Sequence, residues 1–161
     1  MASSPTSVQL LSERELRAWR GLLRVHSRLV KALDTELENE HGLAVTSYEV
    51  LMYLADSPEG RMRMHDLASS VLLSRSGLTR LIDRLERDGL VARKSCAHDA
   101  RGAFAVLTDA GREKLAQARV THMAGVRRLF LSQFSESDLE LLSEMWERVL
   151  PEDHCCEPDR A

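Results

Sequence analysis

Apolar residues recur at alternating steps of three and four positions along the first quarter of the chain, and the stretch 11–40 contains no proline. This spacing is typical of a heptad seam and predicts one long amphipathic helix that ends at His41-Gly42. At 1.5 Å per residue the helix would be roughly 40 Å long, more than a small domain needs for its own core. We therefore expect the seam to pack against a second copy of the chain. Its residues are Leu16, Trp19, Leu23, His26, Val30, Leu33 and Leu37.

Shorter periodic segments follow this helix. A second helix is predicted over 48–55, with Thr46 or Ser47 as its N-cap, and a third over about 66–71. Between them, basic and apolar residues alternate over 61–64, which indicates a very short strand.

A fourth helix is predicted between Ser74, a good N-cap, and Gly89, which would stop it. Two short strands should follow around 90–94 and 103–107. The polar loop 95–102 joins them, so the pattern predicts a β-hairpin.

Two further helices are predicted toward the end of the chain. Thr108 would cap a fifth helix that continues to about Phe130, and Ser135 or Ser137 would start a sixth. The apolar residues of the sixth again step by three and four, which indicates a second seam: Leu139, Leu142, Trp146 and Val149.

Composition supports a mainly α fold, because aromatic residues make up only 4% of the 161 positions. The longest apolar run, 50–55, is far too short to span a membrane, so no membrane partner is expected. Residues 1–10 lack a signal-peptide pattern and are interpreted as a disordered lead-in, and 151–161 as a flexible tail. Three cysteines do not make a disulfide framework, which favours a reducing, cytoplasmic location.

Charge is distributed unevenly along the chain. The net charge is −3, yet the stretch 61–101 holds nine basic and five acidic residues, a local +4. A positive module inside an acidic body is suited to local phosphate binding, and the acidic remainder disfavours indiscriminate binding to nucleic acid.

The third and fourth helices with their tight turn form a predicted helix-turn-helix. Apolar residues line one face of the fourth helix, and a polar face that bears arginines lies opposite. Such a helix can enter the major groove, which is about as wide as one helix. The alternative is an ordinary amphipathic helix with a solvated basic face.

The hairpin that follows places more basic residues beside this helix. Arg93 and Lys94 on its first strand are positioned to meet phosphates, and Arg101 near its tip to meet the adjacent minor groove. Asp99 could orient the Arg101 guanidinium through a charge-assisted hydrogen bond. The alternative is an exposed loop with scattered charges.

The sequence resembles the MarR family of transcriptional regulators over roughly 11–150. The resemblance rests on Asp66-Leu67-Ala68, on Leu73-Ser74-Arg75-Ser76-Gly77-Leu78-Thr79-Arg80-Leu81-Ile82-Asp83-Arg84-Leu85-Glu86, on Gly89-Leu90-Val91, on Asp99-Ala100-Arg101 and on Leu107-Thr108-Asp109-Ala110-Gly111.

This resemblance implies a winged helix-turn-helix repressor that binds a pseudo-palindromic operator in double-stranded DNA as a homodimer. The dimerisation helices would be 11–45 and 109–150, and the DNA-binding lobe 46–108. Arg101 would reach the minor groove. The residues implied in the major groove are Ser74, Arg75, Ser76, Thr79, Arg80 and Arg84.

Members of this family commonly respond to a small aromatic or anionic effector held between the dimer body and the DNA-binding lobe. By position, the resemblance implies that His26, Tyr48 and Met52 line that crevice, with Arg28 (or Arg24) as the partner of an anion. A histidine satisfied within the helix seam is the alternative for His26.

Other chemistries have weaker signals. Cys96 lies among Lys94, His98 and Arg101 and could be a redox sensor, and His154-Cys155-Cys156 could bind a metal; an incidental cysteine and a loose tail are the alternatives. No catalytic motif is present, so we expect no enzyme activity, cofactor or metal site. A redox- or metal-responsive regulator and a winged-helix protein-interaction module remain the alternative functions.

Overall fold

The computed structural model describes residues 10–96 and 99–150. These residues form six α-helices and one antiparallel sheet of order β1-β3-β2, which confirms the predicted mainly α, winged-helix fold. The helices are α1 (Glu13–His41), α2 (Val45–Asp56), α3 (Met64–Ser70), α4 (Arg75–Arg87), α5 (Asp109–Leu129) and α6 (Glu136–Val149). The strands are β1 (Arg61–Arg63), β2 (Val91–Cys96) and β3 (Asp99–Leu107). The predicted lead-in (up to residue 9) and tail lie outside the described residues.

The first helix begins and ends where its caps require. The Ser12 side chain accepts a hydrogen bond from the Glu15 N–H, and the Glu15 carboxylate accepts one from the Ser12 N–H, a reciprocal pair that satisfies two free donors of the first turn. At the other end Gly42 adopts φ 60°, the left-handed conformation that glycine tolerates best. The predicted long helix with its Gly42 stop is confirmed.

The C-terminal half of α1 packs against α5. His41 contacts Thr121 of α5, and the Arg128 guanidinium pairs with Glu36 at 2.5 Å. The two helices are therefore antiparallel. The single buried residue of α1 is Leu37, so the N-terminal half of the helix extends beyond α5.

The predicted cap of α2 is wrong. The helix begins at Val45 after Ala44, which has no capping side chain. Instead, the Asp34 carboxylate of α1 accepts a hydrogen bond from the Val45 N–H at 2.8 Å. A residue eleven positions upstream thus satisfies a free donor of the first turn, whereas Thr46 and Ser47, the predicted caps, lie inside the helix. The third helix also begins earlier than predicted, at Met64, because Arg63 of β1 leads directly into it.

The core lies where α2, α3 and α4 meet the sheet. Residues alternate along the strands: Val91, Ala105 and Leu107 are buried on the inner face, whereas Phe104 and Val106 are only partly covered on the outer face. The largest fully buried side chains in this core are Tyr48, Leu51, Leu54, Leu67, Leu78, Ile82 and Leu85.

The start of α5 is attached closely to the hairpin. Thr108 caps the helix, as predicted, by accepting from the Gly111 N–H at 3.0 Å, and its hydroxyl lies 3.0 Å from the Leu90 carbonyl oxygen. A Cβ atom at Gly111 would overlap that same carbonyl oxygen and the Leu107 side chain. Glycine is therefore required for this approach between α5 and the chain that enters the hairpin.

Replacing Gly111 with Ala should lower the free energy of unfolding by about 1–3 kcal/mol, because the backbone must shift to admit the methyl group. Gly21→Ala is the matched control, since a Cβ there meets nothing within 4 Å. A helix-interior alanine at that position should raise stability by up to about 1 kcal/mol. Denaturant unfolding of both variants checks the pair, and an unchanged midpoint for Gly111→Ala would contradict the close packing.

Candidate nucleic-acid interface

Helices α3 and α4 form the predicted helix-turn-helix, joined by the turn 71–74. Ser74 is the N-cap of α4, as predicted, and its hydroxyl accepts from the Gly77 N–H at 3.1 Å. This bond satisfies a free donor of the first turn and fixes where the helix starts. The turn 71–74 therefore determines the orientation of α4 relative to α3.

The two faces of α4 are sharply divided. Leu78, Leu81, Ile82 and Leu85 are buried against the core. The side chains predicted to meet DNA are exposed on the opposite face: Ser74, Arg75, Ser76, Thr79 and Arg80.

Two of these exposed residues also bond within the helix. The Thr79 hydroxyl donates to the Arg75 carbonyl at 2.9 Å, and the Arg80 Nε donates to the Ser76 carbonyl at 3.3 Å. The first half of α4 therefore presents a polar, positively charged surface with donors and acceptors that can read base edges.

Arg84 has a contact that sequence reasoning missed. Its Nη2 donates to the hydroxyl of Ser47 at 2.6 Å, and Ser47 is buried at the start of α2. This bond connects the second half of α4 to α2, so Arg84 helps to position the helix. The two residues are 37 positions apart, and no local pattern marks them as partners.

Arg93 is likewise engaged inside the lobe. Its guanidinium pairs with Asp83 at 2.5 Å and Glu86 at 3.3 Å, and it donates to the Thr79 carbonyl at 3.2 Å. These contacts connect β2 to α4 and partly neutralise the Arg93 charge. Lys94, the next residue along β2, is exposed on the opposite side of the strand.

The hairpin is confirmed and is longer than predicted, with β2 reaching Cys96 and β3 starting at Asp99. Cys96 pairs with Asp99 in the register of the two strands. The predicted side-chain roles of Asp99, Arg101 and Cys96 lie outside what the structure describes. The Cys155-Cys156 pair also falls beyond the described residues.

Leu72, in the turn before α4, combines strain with exposure. It adopts φ 52° and is 92% exposed. The left-handed conformation costs a non-glycine residue about 1–2 kcal/mol, and the exposed side chain buries almost nothing in return.

Replacing Leu72 with Gly should raise the free energy of unfolding by roughly 0.5–1 kcal/mol, because the strain relieved exceeds the extra backbone entropy of glycine. Leu73→Gly is the control. Leu73 packs partly against the core, so removing its side chain should lower the free energy of unfolding. Thermal unfolding of the two variants checks the contrast. A less stable Leu72→Gly variant would refute it.

A separate polar cluster lies between α2 and α5, outside the exposed face of α4. Tyr48 is 1% exposed, and its ring centre lies 4.4 Å from that of His122. Tyr48 Oη, Arg119 Nε and His122 Nδ1 are all buried, and among the described residues none of the three has a partner in strict hydrogen-bonding geometry, although the Arg119 side chain lies close enough to the Tyr48 hydroxyl to interact with it. Buried polar atoms without a hydrogen-bond partner are rare in proteins, so three in one region make this cluster unusual.

The predicted effector residues are distributed unequally around this cluster. Tyr48 belongs to it and Met52 is half-buried on the same helix, whereas His26 and Arg28 are exposed on α1. Sequence reasoning missed Arg119, whose role is visible only once α5 lies against α2.

Burial changes the protonation of the cluster. It raises the pKa of Tyr48, an effect that the nearby Arg119 charge opposes, and it lowers the pKa of His122. Both shifts favour the neutral rings. The Arg119 guanidinium, which also lies 3.8 Å from Asp56, is thus the charged member of the cluster.

The lowered pKa of His122 predicts a pH-dependent stability. The unfolded histidine binds a proton near pH 6.5, whereas the folded one resists protonation, so its contribution is complete above about pH 6.5 and is lost as the pH falls through the lower folded pKa. The His122→Gln variant should therefore lose less stability than the natural chain between pH 7 and pH 5. Equal losses in denaturant titrations at the two pH values would contradict this assignment.

Metal-binding and membrane-spanning features do not occur within the described ranges. No group of three or more His, Cys, Asp or Glu side chains in those ranges is arranged to hold a metal ion. None of the six helices is both long enough and apolar enough to cross a membrane.

Comparison with known proteins finds similarity to transcriptional regulators of the MarR family. The sequence model of the MarR family matches residues 41–102. The homoprotocatechuate degradative operon repressor of Escherichia coli is 31% identical over 110 residues, which cover 68% of this chain and 72% of the relative.

Two solved structures resemble most of the chain. AbsC, a MarR family transcriptional regulator from Streptomyces coelicolor, has a TM-score of 0.83 and 37% identity, covering 89% of this chain and 97% of its own. Sco3205, a MarR family regulator from the same organism solved in complex with DNA, has a TM-score of 0.84 and 32% identity, covering 94% of both chains.

Proposed function

Because the chain belongs to the MarR family of DNA-binding, winged-helix transcriptional regulators, we propose that it acts as a homodimer on a pseudo-palindromic operator. Each protomer inserts the first half of α4 into a major groove, and the hairpin approaches the neighbouring minor groove. The observation that carries this proposal is the exposed polar face of α4, with Arg75 and Arg80 directed away from the core.

The surface of the single chain supports the homodimer. Trp19, Leu23 and Val30 of the predicted seam are between 38% and 54% exposed, and α6 contains no buried residue. Isolated exposed apolar residues are ordinary on a protein surface. Several of them along each of two helices indicate an interface. We assign the dimer contact to the extended half of α1 together with α6, which also carries exposed Leu141, Met145 and Trp146.

Two-fold symmetry determines the form of the operator. In helix-turn-helix dimers the half-sites lie one helical turn apart, about 34–36 Å, because both recognition helices meet the same side of the duplex. Arg75 and Arg80 are assigned to base edges and phosphates in each major groove, and Arg101 to the minor groove. Arg84 and Arg93 contribute chiefly by holding α4 and β2 in position, through Ser47 in the first case and through Asp83 and Glu86 in the second.

The cluster at Tyr48, Arg119 and His122 supports the effector proposal. A small aromatic acid or phenol could stack beside the Tyr48 and His122 rings and place its oxygen atoms on the orphaned donors. Binding there would favour one spacing of the two lobes over the spacing that fits the operator, which releases DNA by a population shift. The regulator is therefore assigned as a repressor. Its three cysteines, which make no disulfide framework, favour a reducing cytoplasm as its location.

Selection of bound duplexes from a random pool tests the DNA part of the proposal. We expect an inverted repeat whose half-site centres are 10–10.5 base pairs apart. Enrichment of a single asymmetric site, or no enrichment above a scrambled duplex, would contradict it.

A screen for small aromatic acids that release the selected duplex tests the effector part. Tyr48→Phe should weaken the response to such a ligand while binding DNA as the natural chain does. Tyr53→Phe, the other tyrosine and on the same helix, is the matched control and should respond normally. An unaltered response in Tyr48→Phe would remove the cluster as the effector site.

A further inference from the structure

We propose that the outer face of the three-stranded sheet is a second DNA contact, which holds the phosphates flanking each operator half-site beyond the hairpin tip. This cationic sheet face consists of Arg61 and Arg63 on β1, Phe104 on β3 and Lys94 on β2. The proposal rests on the operator binding proposed above, and it extends the contact surface to residues of β1 that lie outside the helix-turn-helix and the hairpin.

Strand register places these side chains on one face. Arg63 and Lys94 are both paired with Phe104, one on either side of it, and Arg61 is paired with Val106, two residues further along β3. Directly paired residues in a sheet share a face, as do residues two apart on one strand. Across three strands the face is therefore about 10 Å wide, with Arg61 and Arg63 about 7 Å apart.

The aromatic ring orders the two arginines. The guanidinium carbons of Arg61 and Arg63 lie 5.4 and 5.1 Å from the centre of the Phe104 ring, within the range of cation–π attraction. A guanidinium held against a ring loses less conformational freedom when it binds a phosphate than a free side chain does. Phe104 thus prepares both side chains for an anionic partner.

The two faces of the sheet hold their cations differently. On the outer face Arg61, Arg63 and Lys94 are exposed, and Arg61 pairs with Glu59 at 2.8 Å in a contact that solvent screens. On the inner face Arg93 instead pairs with two carboxylates of α4. The sheet therefore has one face whose arginine is held by α4 and one face whose cations are accessible from solvent.

Position favours DNA as the occupant. Lys94 precedes Cys96, the last residue of β2, by two positions, which places the cationic sheet face about 7 Å from that end of the strand. A hairpin whose tip lies in the minor groove brings this face beside the phosphates just outside the base pairs that the tip reaches, where the duplex carries one charge per roughly 1.7 Å. The face is thus continuous with the proposed DNA contact of the hairpin.

Duplex length provides the test. A selected operator is trimmed so that it ends at the minor grooves reached by the hairpins, and a second duplex extends it by about eight base pairs on each side. Binding constants are measured at several salt concentrations for the natural chain, Arg61→Gln, Arg63→Gln, the double variant and the control Lys31→Gln, which removes an exposed charge from α1.

On the extended duplex each β1 substitution should flatten the slope of log K against log salt by about 0.9 per protomer, or about 1.8 per dimer. A slope that differs by about 1.8 changes the ratio of the natural to the variant affinity by about twelvefold when the salt concentration changes fourfold. On the trimmed duplex the variants should match the natural chain, and Lys31→Gln should match it on both. Glu59→Gln should tighten binding to the extended duplex alone, because it removes the competing carboxylate; a purely structural role of Arg61 would not produce that gain.

Three results would overturn the proposal: identical salt slopes of the natural chain on the two duplexes, equal effects of the β1 variants on both, or variants that alter only the unfolding temperature. A cationic face that serves an acidic protein would give the first of these. Failure of the operator proposal is separately visible, since the natural chain would then not distinguish the trimmed operator from a scrambled duplex.

Discussion

Replacing Leu23 with Asp should convert the protein to a monomer and abolish tight operator binding. Leu23 lies in the middle of the α1 seam and is 48% exposed in the single chain, so the substitution leaves the lobe core untouched. In the dimer it would bury an unpaired carboxylate, which costs several kcal/mol. The native mass from sedimentation and the affinity for the selected operator should fall together.

Ala18→Asp is the matched control for this substitution. It introduces the same charge into the same helix at an exposed position outside the seam. It should remain dimeric and bind the operator normally. A dimeric Leu23→Asp variant, or a natural chain that is monomeric at micromolar concentration, would contradict the assigned interface.

Replacing Arg80 with Ala should change which duplexes are selected. Arg80 projects from the exposed face of α4, and removing a hydrogen bond to a base edge costs about 1–3 kcal/mol and relaxes preference at one position in each half-site. Repeating the selection with the variant measures both effects.

Arg101→Ala provides the contrast. A side chain that meets the backbone or the minor groove carries little sequence information, so this variant should bind all duplexes more weakly and flatten the salt slope by about one unit for each phosphate that is no longer neutralised. Any change in preference should be confined to A·T-rich flanks. If neither variant weakens binding to the selected duplex, the winged-helix mechanism is wrong for this chain.

Local patterns in the sequence were sufficient for most elements of the fold. The heptad spacing, the Ser74 and Thr108 caps and the Gly42 stop each depend on a few neighbouring residues, and each matches the structure. The resemblance at Leu107-Thr108-Asp109-Ala110-Gly111 also gains a physical reason, since Thr108 and Gly111 together fix α5 against the Leu90 carbonyl.

Contacts between distant segments could not be predicted in this way. Asp34 caps α2 across the α1–α2 turn, so a search for a capping side chain among the residues next to Val45 could not find it. Arg93 has the sequence context of a phosphate ligand, yet its guanidinium turns inward to Asp83 because β2 lies against α4. The cluster at Tyr48 and Arg119 depends on how α5 crosses α2, which no periodicity specifies.

Operator spacing tests most directly whether two α4 helices bind one side of a duplex at a fixed separation. Five base pairs inserted between the half-sites rotate one of them by about half a helical turn. We expect the affinity of the natural chain to fall roughly 100-fold or more, because only one recognition helix can then reach its groove. Unchanged affinity for the expanded operator would contradict the proposed binding mode.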